Sequence, residues 1–212
     1  MAKPSVNPPS APATVESLTP RGRKTRDSLI GAARTVFEDV GFLDTRVEHI
    51  AQEAHVSYGT FYRYFESKEE IFYELSTRLF EDVHHHREPS ESAGSPAEKL
   101  IASNRAYYEA YRRNARLMAI VEQVATFNED FRLVRQEHRR QLTDRTARAI
   151  NRWQRDGRVR ADLDPVLAAR AMAAMVDHTL YLWLVQGDTA DAEALLDTLD
   201  SMCLGALGLG QG

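Results

Sequence analysis

The sequence predicts an all-α protein: an N-terminal three-helix unit containing a helix-turn-helix, followed by a C-terminal helical bundle. Three observations carry this. Helix-start signals crowd together between Thr45 and Lys68, so short helices must follow one another there. Apolar residues recur at three- and four-residue spacing from Leu29 to Phe80 and again from Leu100 to Ala206. From Pro96 onward only helical patterns appear.

Residues 1–20 are rich in Pro, Ser and Ala with almost nothing to bury, and are expected to form a disordered tail. Arg21, Arg23, Lys24 and Arg26 extend it as a basic arm. That cluster reads equally as a phosphate- or minor-groove-seeking arm and as plain solvated charge. Leu29, Ile30, Ala33, Val36, Phe37 and Val40 make the stripe of a first helix, about Thr25 to Asp39, which Gly41 stops. Thr45 and Glu48 form a capping box for a second helix, with Val47, Ile50 and Ala51 on its apolar face. Ala54-His55-Val56 breaks that pattern, and Ser57 caps a short third helix through Tyr64. A further capping box, Ser67 to Glu70, starts a helix over Lys68–His86 carrying Ile71, Phe72, Leu75, Leu79 and Phe80. The expected organisation is a tail over 1–20, a helix-turn-helix unit with its arm over 21–67, a connecting helix over 68–86 and a helical domain over 87–212.

Two short helices joined by a tight turn place the second in a DNA major groove. In the third predicted helix Phe61 and Phe65 face inward, while Tyr58, Thr60, Tyr62, Arg63 and Tyr64 cover the remaining circumference with hydroxyl and guanidinium donors. Such groups bond phosphates, and arginine also pairs bidentately with guanine. Gly59 permits close backbone approach. The candidate DNA contacts are Thr45, Arg46, Ser57, Tyr58, Gly59, Thr60, Tyr62, Arg63, Tyr64 and Lys68.

Residues 27–75 resemble the DNA-binding domain of the tetracycline-repressor (TetR) family of bacterial transcriptional regulators. The run LIGAARTVFEDVGF, then TRVEHIA, then VSYGTFYRYFESKEEIF carries the resemblance, and the segment GTFYRYFxSKE is its most specific part. His55 stands where the family usually has glycine in the turn, and histidine tolerates the positive φ required. The resemblance implies a repressor on double-stranded operator DNA, with a small effector bound in a helical C-terminal domain.

In that second half Pro96 opens a helix to about Arg113, and Asn114 is expected to cap a short one containing Leu117 to Val124. A long helix spans about Asn128 to Asp156 and ends at Gly157. Asp164-Pro165 opens another, apolar nearly all round from Leu167 to Val185, and a last helix runs from about Asp188 to Ala206. Large adaptable residues with polar ones among them make a pocket plausible. The candidates are Tyr107, Tyr111, Met118, Glu122, Phe127, Phe131, Trp153, Met175, His178, Thr179 and Trp183. Their aromatic and methionine character predicts an apolar effector with one polar group, and no basic cluster marks a phosphate site. The last two helices carry more apolar surface than one packing partner covers, so a symmetric homodimer is expected through Leu180, Leu184, Leu195, Leu199 and Met202.

Other classes find little support. No nucleophile elbow, phosphate loop or paired-histidine metal signature is present. His84-His85-His86 point about 100° apart on a helix and do not converge on one ion, although Glu81 with His85 has the spacing for it. No cofactor or metal is expected. The net charge of -4 disfavours indiscriminate coating of nucleic acid, and the single Cys203 excludes an internal disulfide. The absence of a membrane-spanning run or apolar signal core leads to a cytoplasmic expectation. The competing readings are a DNA-binding regulator without a small effector and, less well supported, an enzyme built on a helical bundle.

Overall fold

The computed structural model describes residues 18–85 and 94–209, with the side chains of His84 and His85 left aside. Most of the expected tail, His86, the expected loop up to Glu91-Ser92-Ala93 and residues 210–212 lie outside the described residues. Nine helices and no strand occur among the described residues, in two compact units that divide between Arg78 and Leu79.

The first unit begins with α1, Pro20–Asp44, five residues before the sequence pattern predicts. Thr19 caps it by accepting from the Gly22 amide at 3.2 Å, and Pro20 stands at the first helical position. The expected basic arm is therefore helical. Arg21, Arg23 and Lys24 stay exposed, but Arg26 is buried, forked onto both carboxylate oxygens of Glu74 and 4.7 Å above the Phe65 ring. At Gly41 the backbone leaves the helix with φ of 78°, which turns Phe42 back against Phe37 and Phe72.

Thr45 does not cap the next helix. It is 1% exposed, and its hydroxyl donates to the Gly41 carbonyl at 2.6 Å, so the chain turns one residue later. The N-cap of α2, Val47–Glu53, is Arg46, whose amide is accepted by His49 Nδ1 at 3.4 Å. The connection from α2 passes through His55 at φ 54°, the one non-glycine residue with positive φ among those described. Helix α3, Tyr58–Tyr62, is capped by Ser57, which accepts from the Thr60 amide at 3.1 Å, and stops two residues short of the expected end. Helix α4, Lys68–His85, follows. Leu29, Phe37, Ile50, Phe61, Phe65 and Ile71 close the core without exposed surface.

The second unit holds the end of α4 with α5 (Pro96–Arg113), α6 (Ala115–Phe127), α7 (Glu129–Arg155), α8 (Pro165–Leu184) and α9 (Ala192–Leu207). Ser95, Asn128, Asp164 and Asp191 cap four of these, and left-handed Gly208 ends α9. Asn114 serves the helix before it: its amide donates to the Ala110 carbonyl at 2.8 Å, closing α5 rather than opening α6. Helix α7 packs on α6 and α8, and α5 on α9. A buried Asn104–Asp200 hydrogen bond of 2.9 Å fixes the α5–α9 register, with Arg105 reaching Glu193, Asp197 and Asp200 around it.

Helix α8 departs from expectation. Ala169, Met172, Val176 and Leu180 are its buried positions, whereas Val166, Leu167 and Leu182 are 40%, 63% and 38% exposed. It is buried along one stripe and bare along another. No helix among the described residues is long and apolar enough to cross a membrane.

Candidate nucleic-acid interface and effector cavity

Side chains that can meet a duplex come from the start of α2 and from α3. Arg46, Ser57, Tyr58, Gly59 and Arg63 are exposed, and Thr60 and Tyr62 half-buried. Phe61 explains this presentation: it is wholly buried, so the residues around it on a five-residue helix must face out. The row is internally ordered. Ser57 Oγ and Thr60 Oγ1 lie 2.8 Å apart, and the Tyr58 and Tyr62 hydroxyls 3.0 Å apart with their rings edge to face. The hydrogen bond to Tyr62 pushes the Tyr58 hydroxyl up to about 12, so it remains a protonated donor at neutral pH.

Three expected contacts point elsewhere. Thr45 is buried on Gly41, as described, and Tyr64 is 7% exposed because α3 ends before it and the chain folds it inward. Lys68 turns back over the end of α1: its ammonium donates to the carbonyls of Phe42, Leu43 and Thr45 at 2.9, 3.2 and 2.9 Å and sits 4.8 Å above the Phe42 ring. These carbonyls are freed by the break at Gly41, and an ammonium satisfies them where no helical amide is available.

In the second unit two adjoining clefts share Arg139, Asp177 and His178 on their walls. One measures about 500 Å³ between α5, α7 and α8, the other about 510 Å³ beside α6. Either is large enough for a small organic molecule. Between them lies a charged partition. Tyr107 donates to Asp177 Oδ1 at 2.5 Å, Arg135 Nε donates to Glu122 at 2.8 Å, and Arg139 bridges Glu122 and Asp177 at 3.2 and 3.0 Å. Burial opposes the Arg135 charge, but Asp177 and Glu122 outweigh it and hold its proton more tightly than usual. Burial, with those same carboxylates nearby, keeps the Tyr111 hydroxyl protonated well above its ordinary range.

Of the expected pocket residues, Tyr107, Tyr111, Glu122 and His178 line these clefts. Met118 and Phe131 belong to the core, and Trp153 borders a void of about 30 Å³. Phe127 is 51% exposed, Met175 and Thr179 stand outside both linings, and Trp183 stacks on Tyr108 at 5.4 Å. The larger correction is chemical. The first cleft sets Arg135, Arg139, Arg140 and Arg170 beside its apolar wall, a basic cluster that the sequence does not lead one to expect. Helix α7 carries so many arginines that the sequence alone does not distinguish the inward-facing ones.

Of the expected interface residues, Leu180 and Leu199 are 0% and 4% exposed, buried within their own chain. Leu184 and Leu195 are half-buried, and Met202 is 55% exposed.

A helix-turn-helix with an outward-facing hydroxyl and guanidinium row, joined to a helical unit with a small-molecule cleft, defines a ligand-responsive DNA-binding regulator. Residues 29–75 match the family of bacterial regulatory proteins of the tetR type, and residues 93–207 the tetracyclin repressor-like C-terminal domain. The chain belongs to the TetR family. It is 28% identical over 182 residues to the HTH-type transcriptional regulator TtgR of Pseudomonas putida, covering 80% of this chain and 84% of that one. It shares its fold with the fatty acid degradation regulator FadR of Bacillus halodurans (TM-score 0.71, 24% identity, 90% of this chain and 98% of that). The fold is likewise that of SmeT, the repressor of a Stenotrophomonas maltophilia multidrug efflux pump (TM-score 0.72, 24% identity, 87% and 91%).

Proposed function

We propose that the protein is a repressor that binds a two-fold symmetric operator as a homodimer and is released from it by a small effector held in the cleft of the second unit. The outward row of Arg46, Ser57, Tyr58, Thr60, Tyr62 and Arg63 carries the DNA reading. Hydroxyls fix register on phosphates while Arg63 supplies a fork for a guanine edge or a phosphate. One short recognition helix reads few base pairs, so useful specificity calls for two half-sites, about 34–36 Å or a multiple apart.

A second copy has an eligible surface. Leu167, Leu182 and Met202 are bare apolar residues on α8 and α9, whereas Ala169, Met172, Val176 and Leu180 of α8 pack internally. Pairing two such helices from each chain makes a four-helix bundle. Helix α4 joins the two units, with Lys68 engaged in the first and Phe80 packed 4.4 Å from His138 in the second. An effector shifts this link only if it binds the DNA-incompetent arrangement more tightly, and DNA then weakens effector binding by the same factor.

The test is selection of duplexes from a random-sequence library on the full chain. The reading predicts enrichment of an inverted repeat bound by two chains. No enriched sequence, or one chain per duplex, overturns it.

A further inference from the structure

We infer that the cleft between α5, α7 and α8 takes an anionic amphiphile, with Arg170 as the group that holds its headgroup. This rests on the reading of that cleft as the effector site and names the ligand class for it.

Three of the four arginines on this cavity are engaged by carboxylates. Arg135 and Arg139 are matched by Glu122 and Asp177, in the partition already described. Arg140 is matched from its own helix, by Glu137 at 2.6 Å and Asp144 at 2.9 Å. Arg170, also on the lining, makes no ion pair or side-chain hydrogen bond among the described residues. One arginine of the lining therefore has no carboxylate against it among the described residues. It stands on α8, whose small Ala173 and Ala174 line the same cleft. Leu142 and the aliphatic stem of Arg140 supply apolar wall nearby.

Neutralised arginines do not attract a second anion strongly, because their carboxylates repel it. An unmatched one does, and its planar fork suits carboxylate, sulfonate and phosphate oxygens alike. The opposite choice, a cationic effector seated on Glu122 or Asp177, requires displacing Arg139 and stripping the buried Arg135 of its partners. A removed partner leaves an uncompensated buried charge, so that choice is the costly one.

The test uses two fluorescent probes that differ only by the charged group: anilinonaphthalene sulfonate and its uncharged parent, phenylnaphthylamine. Wild-type protein is expected to bind the sulfonate about tenfold more tightly or better, in keeping with a charge-assisted hydrogen bond. Arg170 is exposed and unpaired, so Arg170→Gln is expected to fold normally; a thermal melt confirms it. This variant should bring the two affinities together by weakening the sulfonate alone, and Arg170→Lys should keep much of the preference. Equal affinity of both probes for the wild type, or a preference that survives Arg170→Gln, overturns the inference. Failure of both probes to bind overturns the cleft as a ligand site, while the duplex selection still decides the DNA-binding reading by itself.

Discussion

Replacing Lys68 with methionine separates two roles that predict opposite experimental signatures. In the structure its ammonium satisfies three carbonyls, of Phe42, Leu43 and Thr45, where α1 gives way to α2. A net hydrogen bond from a charged donor contributes about 1.5–3 kcal/mol. The three share one ammonium and are not additive, the group is half-exposed, and ordering a lysine costs up to about 2 kcal/mol. The balance is a loss of about 2 kcal/mol, or roughly 4–8 °C in melting temperature for a chain of this size. Methionine preserves the packing of the stem over Phe42, so the measurement isolates the charge. The assay is paired: thermal melting of Lys68→Met, and operator affinity at several salt concentrations. The expected result is the lower melting temperature with an unchanged slope of log affinity against log salt. A direct phosphate contact gives the reverse, an unchanged melt and a slope reduced by about 1. That outcome refutes the capping role.

His55→Gly is expected to stabilise the protein by up to about 1 kcal/mol in urea titration, since glycine removes the left-handed strain while adding some unfolded-chain entropy; a loss of stability contradicts this. Met202→Asp combined with Leu182→Asp should shift the mass measured by light scattering toward the monomer without lowering helix content, because both residues are exposed in the single chain; an unaffected dimer places the interface elsewhere. Burial, reinforced by the Arg135 charge, depresses the proton affinity of folded His138, so the unfolded state binds the extra proton as pH falls below 6.5. Stability is thus full above the unfolded value and declines as pH drops toward the folded one. His138→Phe, which keeps the stack on Phe80, should flatten this decline as pH falls through 6.5 and below; identical pH profiles refute it.

Much of the fold is legible in the chain because helix ends are written locally. Ser57, Asn128 and Asp164 cap helices where their own short-range chemistry puts them, while the last helix starts at Ala192 behind Asp191 rather than at about Asp188. Errors arise where tertiary partners compete for the same atoms. Thr45 is a sound capping residue by type, yet its hydroxyl is taken by the Gly41 carbonyl. Lys68 follows a DNA-facing helix in sequence but finds carbonyls 23–26 residues upstream. Arg26 sits in a basic run, and only Glu74, 48 residues away, reveals that it is buried.

The candidate site divides the same way. The α3 row is readable because one buried phenylalanine fixes the orientation of a five-residue helix. The cleft is not, because α7 carries arginines on every side and only packing against α8 selects those that face inward. Leu180 and Leu199, two of the five expected interface residues, are buried in their own chain for a related reason. Leu180 and Leu199 are as apolar as Leu182 and Met202, and periodicity does not say which stripe of a doubly apolar helix its own chain covers.

The most direct measurement of the central claim is the affinity of a Tyr62→Phe, Arg63→Ala variant for the duplex enriched on the wild-type chain, compared with a scrambled duplex at the same salt. Arg63 is exposed and phenylalanine keeps the half-buried ring of Tyr62 against Phe61, so the variant should melt as the wild type does. Loss of the arginine fork alone should remove about 1–3 kcal/mol of discrimination, roughly a five- to 150-fold fall in the preference for the enriched sequence. Full wild-type affinity and preference in the double variant would contradict the assignment of α3 as the reading helix.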